Sequence, residues 1–121
     1  MGLMKKSEIN KLDKLWSEIV KKKANNQCEN CGKTFCLNSH HYLGRRDYKL
    51  RWNIDNGFCL CSGCHTFSSV FSAHQTPHLF CEWAKNKRGI EWENNLTKIH
   101  NYFGLKQNFD DVLAYLKEND C

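Results

Sequence analysis

The chain has 121 residues, 18 Lys and Arg against 13 Asp and Glu, eight cysteines and a formal net charge of +5. That length suits one domain with a limited core, for which a metal staple makes physical sense. Eight cysteines would serve a secreted disulfide scaffold, but residues 1–23 are Lys-rich without the apolar core of a signal peptide, and no stretch approaches a membrane span; the thiols are therefore read as reduced and the chain as cytoplasmic, with no membrane partner.

The first expected element is a helix over residues 7–23, with Ser7 as N-cap. Ile9, Leu12, Leu15, Trp16, Ile19 and Val20 recur at helical spacing, and lysines fill the other face. This stripe is expected to pack on the cysteine-rich module that follows. Residues 1–27 hold seven Lys against three acids, which suits a phosphate backbone and suits a solvated face equally well. Asn25, Asn26 and Gln27 end the helix. A strand is expected over residues 33–43, with Phe35, Leu37 and Tyr42 packing. Gly44, Arg45 and Arg46 turn the chain. Residues 47–56 read as an irregular loop in which Leu50, Trp52 and Ile54 alternate as in a strand. Phe58 and Leu60 mark a second strand, with Cys59 packed on it, and a helix is expected over residues 62–71.

Thr76 is expected as N-cap, with the single proline, Pro77, at the first helical position. Leu79, Phe80, Trp83 and Ala84 make the buried face, Lys85, Lys87 and Arg88 load the end favoured by the helix dipole, and Gly89 stops the helix. Cys81 lies on it, and His78 is taken as structural. A helix over residues 90–102 uses Trp92, Leu96 and Ile99, with Phe103 continuing the spacing and Gly104 as the stop. A last helix over residues 110–119 uses Val112, Leu113 and Leu116, with Asp110 and Asp111 at its start. The aromatic residues read as core, and residues 76–121 as a helical buttress. Cys36 and Cys121 receive no role.

Two C-x-x-C motifs, Cys28/Cys31 and Cys61/Cys64, are separated by 29 residues. Each places two thiolates on a tight turn, and two such turns face to face make the closed tetrahedral site that suits structural Zn²⁺. A disulfide pair is the bland alternative. The intervening segment carries His40 and His41, then Asn56, and His65 follows Cys64 directly. Histidines beside the clamp suit base or ligand chemistry near neutral pH. They also read as surface histidines, or as one zinc ligand replacing a cysteine. Asn56 with Gly57 is in itself a good turn dipeptide. Arg45, Arg46, Lys49 and Arg51, opposed only by Asp47 within residues 32–52, are assigned to phosphate contact.

His40, His41, Asn56 and His65, in that order inside the four-cysteine clamp, resemble the HNH nucleases, which have the ββα-metal fold. The resemblance covers residues 28–75. It implies a small zinc-stabilised ββα-metal core there; with the basic N-terminal helix segment, residues 1–27, and the C-terminal helical buttress read above, the expectation is an α+β protein in one domain. The resemblance implies His40 and His65 as ligands of a catalytic divalent ion, His41 as general base, and Asn56 as the residue fixing the His41 segment. The implied activity is metal-dependent DNA endonuclease, leaving 5′-phosphate and 3′-hydroxyl ends on double-stranded or branched DNA. Small stand-alone proteins of this kind resemble phage-encoded nucleases.

The chain departs from the family pattern twice. Many members carry Asp where His40 stands, and His shifts the preference toward softer ions. Some members have a second helical His four residues after the first, where Ser69 stands here. His74 is the candidate replacement, or else a structural residue capping the next helix. A site with two protein ligands, waters and phosphate oxygens suits Mg²⁺ or Mn²⁺. The alternative reading is a zinc-stabilised nucleic-acid-binding module without catalysis, which leaves the ordered histidines unexplained. A C-x-x-C redox protein fits less well, because no βαβ pattern surrounds either motif.

Overall fold

The first helix starts earlier than Ser7. In the computed structural model, which describes residues 4–102 and 107–120, α1 spans Lys6–Lys23. Lys5 is its N-cap, and its backbone N–H donates to the Glu8 carboxylate at 2.9 Å. Glu8 therefore does the capping expected of Ser7, which lies inside the first turn. Lys21, Lys22 and Lys23 sit in the last turn, where the helix dipole favours cations. Asn25 and Asn26, at φ 56° and 54°, then turn the chain out of the helix, a conformation that Asn tolerates better than most residues.

Strand β1 is only Leu37–His41. The first knuckle consumes the residues expected to begin it: the Cys28 N–H donates to the Lys33 carbonyl at 2.8 Å. Cys36, at φ 53°, then interrupts extended backbone, so Phe35 is exposed rather than packed. After β1 the chain turns at residues 44–47, as expected, with the Asp47 N–H donating to the Gly44 carbonyl.

The expected irregular loop holds two short helical turns instead. One is α2, Tyr48–Arg51, where the Asp47 side chain accepts from the Lys49 N–H at 3.0 Å. The other is a 3₁₀ turn, Ile54–Asn56, where Asn53 accepts from the Asp55 N–H at 2.9 Å. Side-chain caps of this kind compete locally with extended backbone. Leu50, Trp52 and Ile54 are buried all the same.

Strand β2, Gly57–Cys61, pairs antiparallel with β1, setting His40 opposite Phe58 and His41 opposite Gly57. A single π turn, Gly63–Phe67, replaces the helix expected to reach Phe71. Ser68 ends it: its hydroxyl accepts the Val70 and Phe71 N–H groups. Helix α3, Pro77–Arg88, begins at Thr76 and Pro77 and stops at Gly89, φ 92°, as expected. The Thr76 hydroxyl is turned away from the helix, donating to the Ser72 carbonyl and accepting from the Ser72 N–H. Leu79, expected in the core, is 50 % exposed, and Phe80 and Ala84 carry the buried face. Helix α4, Ile90–His100, follows at once, and α5 is Phe109–Glu118, capped by Asn108. The expectations for Phe103, Gly104 and Cys121 fall outside the described residues.

The two-stranded sheet separates two cores. On one side Leu12, Trp16, Ile19 and Val20 of α1 meet Trp52, Ile54, Cys59 and the α5 residues Val112 and Leu116. On the other, Phe58, Leu60 and the buried cysteines of the clamp meet Ala73, Phe80 and Ala84. The α1 stripe thus packs with α5 in the core opposite the one holding the clamp, because alternate β2 residues feed opposite cores. The architecture is α+β, with helices, one small antiparallel sheet and a four-cysteine cluster. No described helix is long and apolar enough to cross a membrane.

Candidate metal centres and active site

The ends of β1 and β2 carry most of the chemistry. The Sγ atoms of Cys28, Cys31, Cys61 and Cys64 lie within 4.8 Å of one another, and Cys31 and Cys61 are 3.5 Å apart. A tetrahedral site with Zn–S near 2.3 Å needs sulfur–sulfur edges of about 3.8 Å, so this donor set fits zinc. The seven described cysteines are all free thiols, which removes the disulfide alternative for the clamp. Each knuckle has the same internal contact: the Cys31 N–H points at the Cys28 sulfur and the Cys64 N–H at the Cys61 sulfur, both at 3.5 Å. Gly32, at φ 82°, lets the first knuckle close, with its N–H donating to the Cys28 carbonyl. Asn30 donates to the Cys64 sulfur across the pair.

A second donor cluster is formed by His40, His65 and His74, whose ring nitrogens lie within 4.8 Å of one another. His40 comes from β1 and His65 from the π turn. His74 arrives because residues 73 and 74 run beside 64 and 65: the Ala73 N–H donates to the Cys64 carbonyl at 2.8 Å and the His74 N–H to the His65 carbonyl at 3.0 Å. Gln75 closes the same loop by donating to the Thr66 and Phe67 carbonyls. His65 Nε2 and His74 Nε2 are 3.2 Å apart. Metal–imidazole bonds near 2.0–2.1 Å call for nitrogen–nitrogen edges of roughly 3.3 Å, so the trio fits one transition-metal ion. Burial, then the neighbouring His65 and His74, pushes the His40 pKa down to about 3, which keeps it in the neutral form that ligates metal. His74 thus stands as the third nitrogen of the cluster, while Ser69 is exposed.

His41, the next residue on the strand, points the other way. It lies on Trp16 of α1, and its Nε2 is 2.9 Å from the Arg51 carbonyl oxygen. A carbonyl only accepts, so Nε2 carries the proton and Nδ1 holds the free lone pair. Burial lowers the His41 pKa, against the opposing pull of the Arg51 carbonyl and Asp13. His40 and His41 nonetheless line one cavity of about 450 Å³, with Ser39, Gly44, Arg45, His65 and His74. His41 is the last residue of β1.

Asn56 is fully buried. Its side chain accepts the Leu43 N–H at 2.8 Å and donates to the Leu43 and Leu50 carbonyls at 2.9 and 3.2 Å. Its own carbonyl accepts the Tyr42 N–H. Asn56 therefore pins the two residues after His41 to α2, a far larger role than a turn dipeptide needs.

The proposed phosphate group divides. Arg45 and Arg46 are exposed, and Arg45 lines the cavity. Lys49 pairs with Asp47 at 3.1 Å. Arg51 is turned inward, its Nε and Nη2 forking onto the Asp13 carboxylate at 2.9 and 2.7 Å. It is a structural cation, because Asp13 sits on the helix that covers it. His78, taken as structural, is exposed on α3.

Four residues matter to the site beyond their reading from the sequence, where Trp16 is core, Gly57 half of a turn dipeptide, Arg88 a helix-end cation and Asp13 unremarked. Trp16 and Asp13 hold the His41 side of the cavity. Gly57 makes room for Trp16 and Val20, since a Cβ there would sit 2.5 Å from Val20 Cγ2 and 2.9 Å from Trp16 Cζ2. Arg88 lies 3.6 Å over the Phe58 ring, donates to the Gly57 and Asp55 carbonyls, and pairs with Glu29 inside the first knuckle. No model of a known protein family matches the chain, and no curated protein or solved structure matches it at a significant level.

Proposed function

We propose that this chain is a metal-dependent DNA endonuclease of HNH type, with β1, β2 and the turn bearing His65 as a zinc-clamped ββα-metal core. The single observation that carries the reading is the shared cavity: three convergent imidazoles on one wall and a differently oriented imidazole, His41, with its Nδ1 lone pair free. A nucleic-acid reader stapled by zinc has no use for that pair of arrangements.

A divalent ion held by His40, His65 and His74 would supply charge neutralisation at the scissile phosphate and the leaving oxygen. Three imidazoles favour Mn²⁺ and softer ions over Mg²⁺. His41 Nδ1 takes a proton from water as the water oxygen attacks phosphorus. The bond from phosphorus to the 3′-oxygen breaks, and the leaving oxygen takes up a proton, giving 5′-phosphate and 3′-hydroxyl ends. The Arg51 carbonyl, accepting from Nε2, stabilises the imidazolium formed in that step. Arg45, at the cavity wall, is the cation in reach of the phosphate.

Plasmid relaxation tests this. Supercoiled DNA is incubated with zinc-loaded protein plus Mg²⁺, Mn²⁺, Ni²⁺ or EDTA, beside His41→Ala. Nicking that needs an added ion and falls by about 10²–10⁴-fold in His41→Ala is the expected result. Equal nicking by the variant removes His41 as base. Salt-sensitive DNA binding with no cleavage of plasmid or branched DNA would favour the non-catalytic reader.

A further inference from the structure

The general base proposed above is held by a helix outside the β-hairpin module. We infer that α1 belongs to the catalytic apparatus, with Trp16 and Asp13 as positioning residues that give His41 one ring orientation and one tautomer. This inference rests on the nuclease reading.

The geometry has two arms. The indole of Trp16 stacks on the imidazole at 4.0 Å between centroids and 9° between planes, so the ring cannot tilt without losing that contact. Trp16 is itself tied down, its Nε1–H donating to the Asn53 carbonyl at 2.9 Å. The second arm runs through the backbone. The Arg51 carbonyl belongs to the peptide joining Arg51 to Trp52, and Asp13 holds the side chains on both sides of that peptide. Arg51 forks onto both carboxylate oxygens, and Trp52 Nε1–H donates to Asp13 Oδ1 at 2.9 Å. The carbonyl that fixes His41 Nε2–H is thereby oriented by one half-buried carboxylate. Further along α1, Ser17 donates to Ser39, and Ser39 donates to the Ser17 carbonyl, both at 2.9 Å, stitching the helix to β1 beside His40.

A base aimed this way gains rate by orientation, where a displacement of about 1 Å can cost on the order of 100-fold. Losing either arm should therefore lower kcat and leave KM, set by phosphate contacts elsewhere, nearly unchanged.

The test uses the full chain with zinc bound, comparing Asp13→Ala, Trp16→Leu and the conservative Trp16→Phe. Thermal unfolding first establishes which variants are folded at the assay temperature, and the folded ones decide. Long-range ¹H–¹⁵N spectra of histidine-labelled protein read the His41 tautomer, and nicking kinetics read kcat and KM. Wild type is expected to show a single Nε2–H tautomer. In Asp13→Ala and Trp16→Leu the His41 signals should average between tautomers, with kcat down about 10- to 100-fold and KM within about twofold. Trp16→Phe should recover most of both. Folded variants that keep the single tautomer, or that lose it with kcat unchanged, overturn the inference while leaving the nuclease reading intact. A wild-type protein that cuts nothing overturns both.

Discussion

The ring of His41 lies flat on the indole of Trp16, 4.0 Å between centroids and 9° between planes. The two come from a strand and a helix far apart in the chain, and a glycine admits the contact. Gly57 is the strand partner of His41, and α1 descends onto the space where its side chain would be.

Gly57→Ala should therefore be costly. The added methyl would meet Val20 and Trp16 at 2.5 and 2.9 Å, so α1 must lift from the hairpin. Overpacking of this kind costs roughly 1–3 kcal/mol. Urea denaturation should show a lower midpoint, and nicking should weaken together with it. An unchanged midpoint would mean that α1 moves freely over the sheet.

Removing the thiolate metal should unfold the hairpin side. The second core is small and includes Cys28, Cys61 and Cys64 themselves. In such a site metal binding is folding free energy. Strong chelators, or Cys61→Ser, should release one zinc per chain by mass spectrometry and abolish the cooperative thermal transition. Retention of a sharp transition without zinc would contradict the clamp.

His74→Ala should separate the two metal centres. The variant leaves the four cysteines untouched and removes one nitrogen from the trio. Calorimetric titration with Mn²⁺ or Ni²⁺ should show affinity lower by at least about 10-fold, with zinc content unchanged. Equal affinity in the variant would leave a two-histidine site.

Stability should fall in acid through Asp13. Burial opposes its ionisation, but the hydrogen bonds from Arg51 and Trp52 and the Arg51 charge outweigh it, and the carboxyl sits below its usual 3.8. A depressed folded-state value means stability that is present above the unfolded value, near pH 4, and lost as pH falls through the lower folded one. The difference in denaturation midpoint between wild type and Asp13→Asn should be largest near pH 6 and shrink toward pH 3. A difference independent of pH would show that the Asp13 charge contributes nothing.

Spacing made much of the chain legible. Helices α1, α3, α4 and α5 follow the apolar periodicity of segments such as residues 9–20 and 80–84, because a helix buries one stripe whatever it packs against. The cysteine pairs announced a shared site because each knuckle is local. The failures have local causes too. Phe35 and Leu79 look like core by composition, yet lie outside because the knuckle and the helix start consume the neighbouring geometry. Residues 47–56 read as an irregular loop with a strand-like alternation, yet the Asp47 and Asn53 side chains cap two helical turns there.

By itself the sequence determined the helix stripes, the two knuckles and a histidine-bearing segment between them, because each depends on residues within a turn or two of one another. Tertiary structure alone decided the rest. It chose His74 as the third imidazole, turned Arg51 inward onto Asp13, and laid Trp16 over His41. Those outcomes depend on which surfaces meet across the sheet, and a pairing between distant segments is set by shape and burial that no single segment carries.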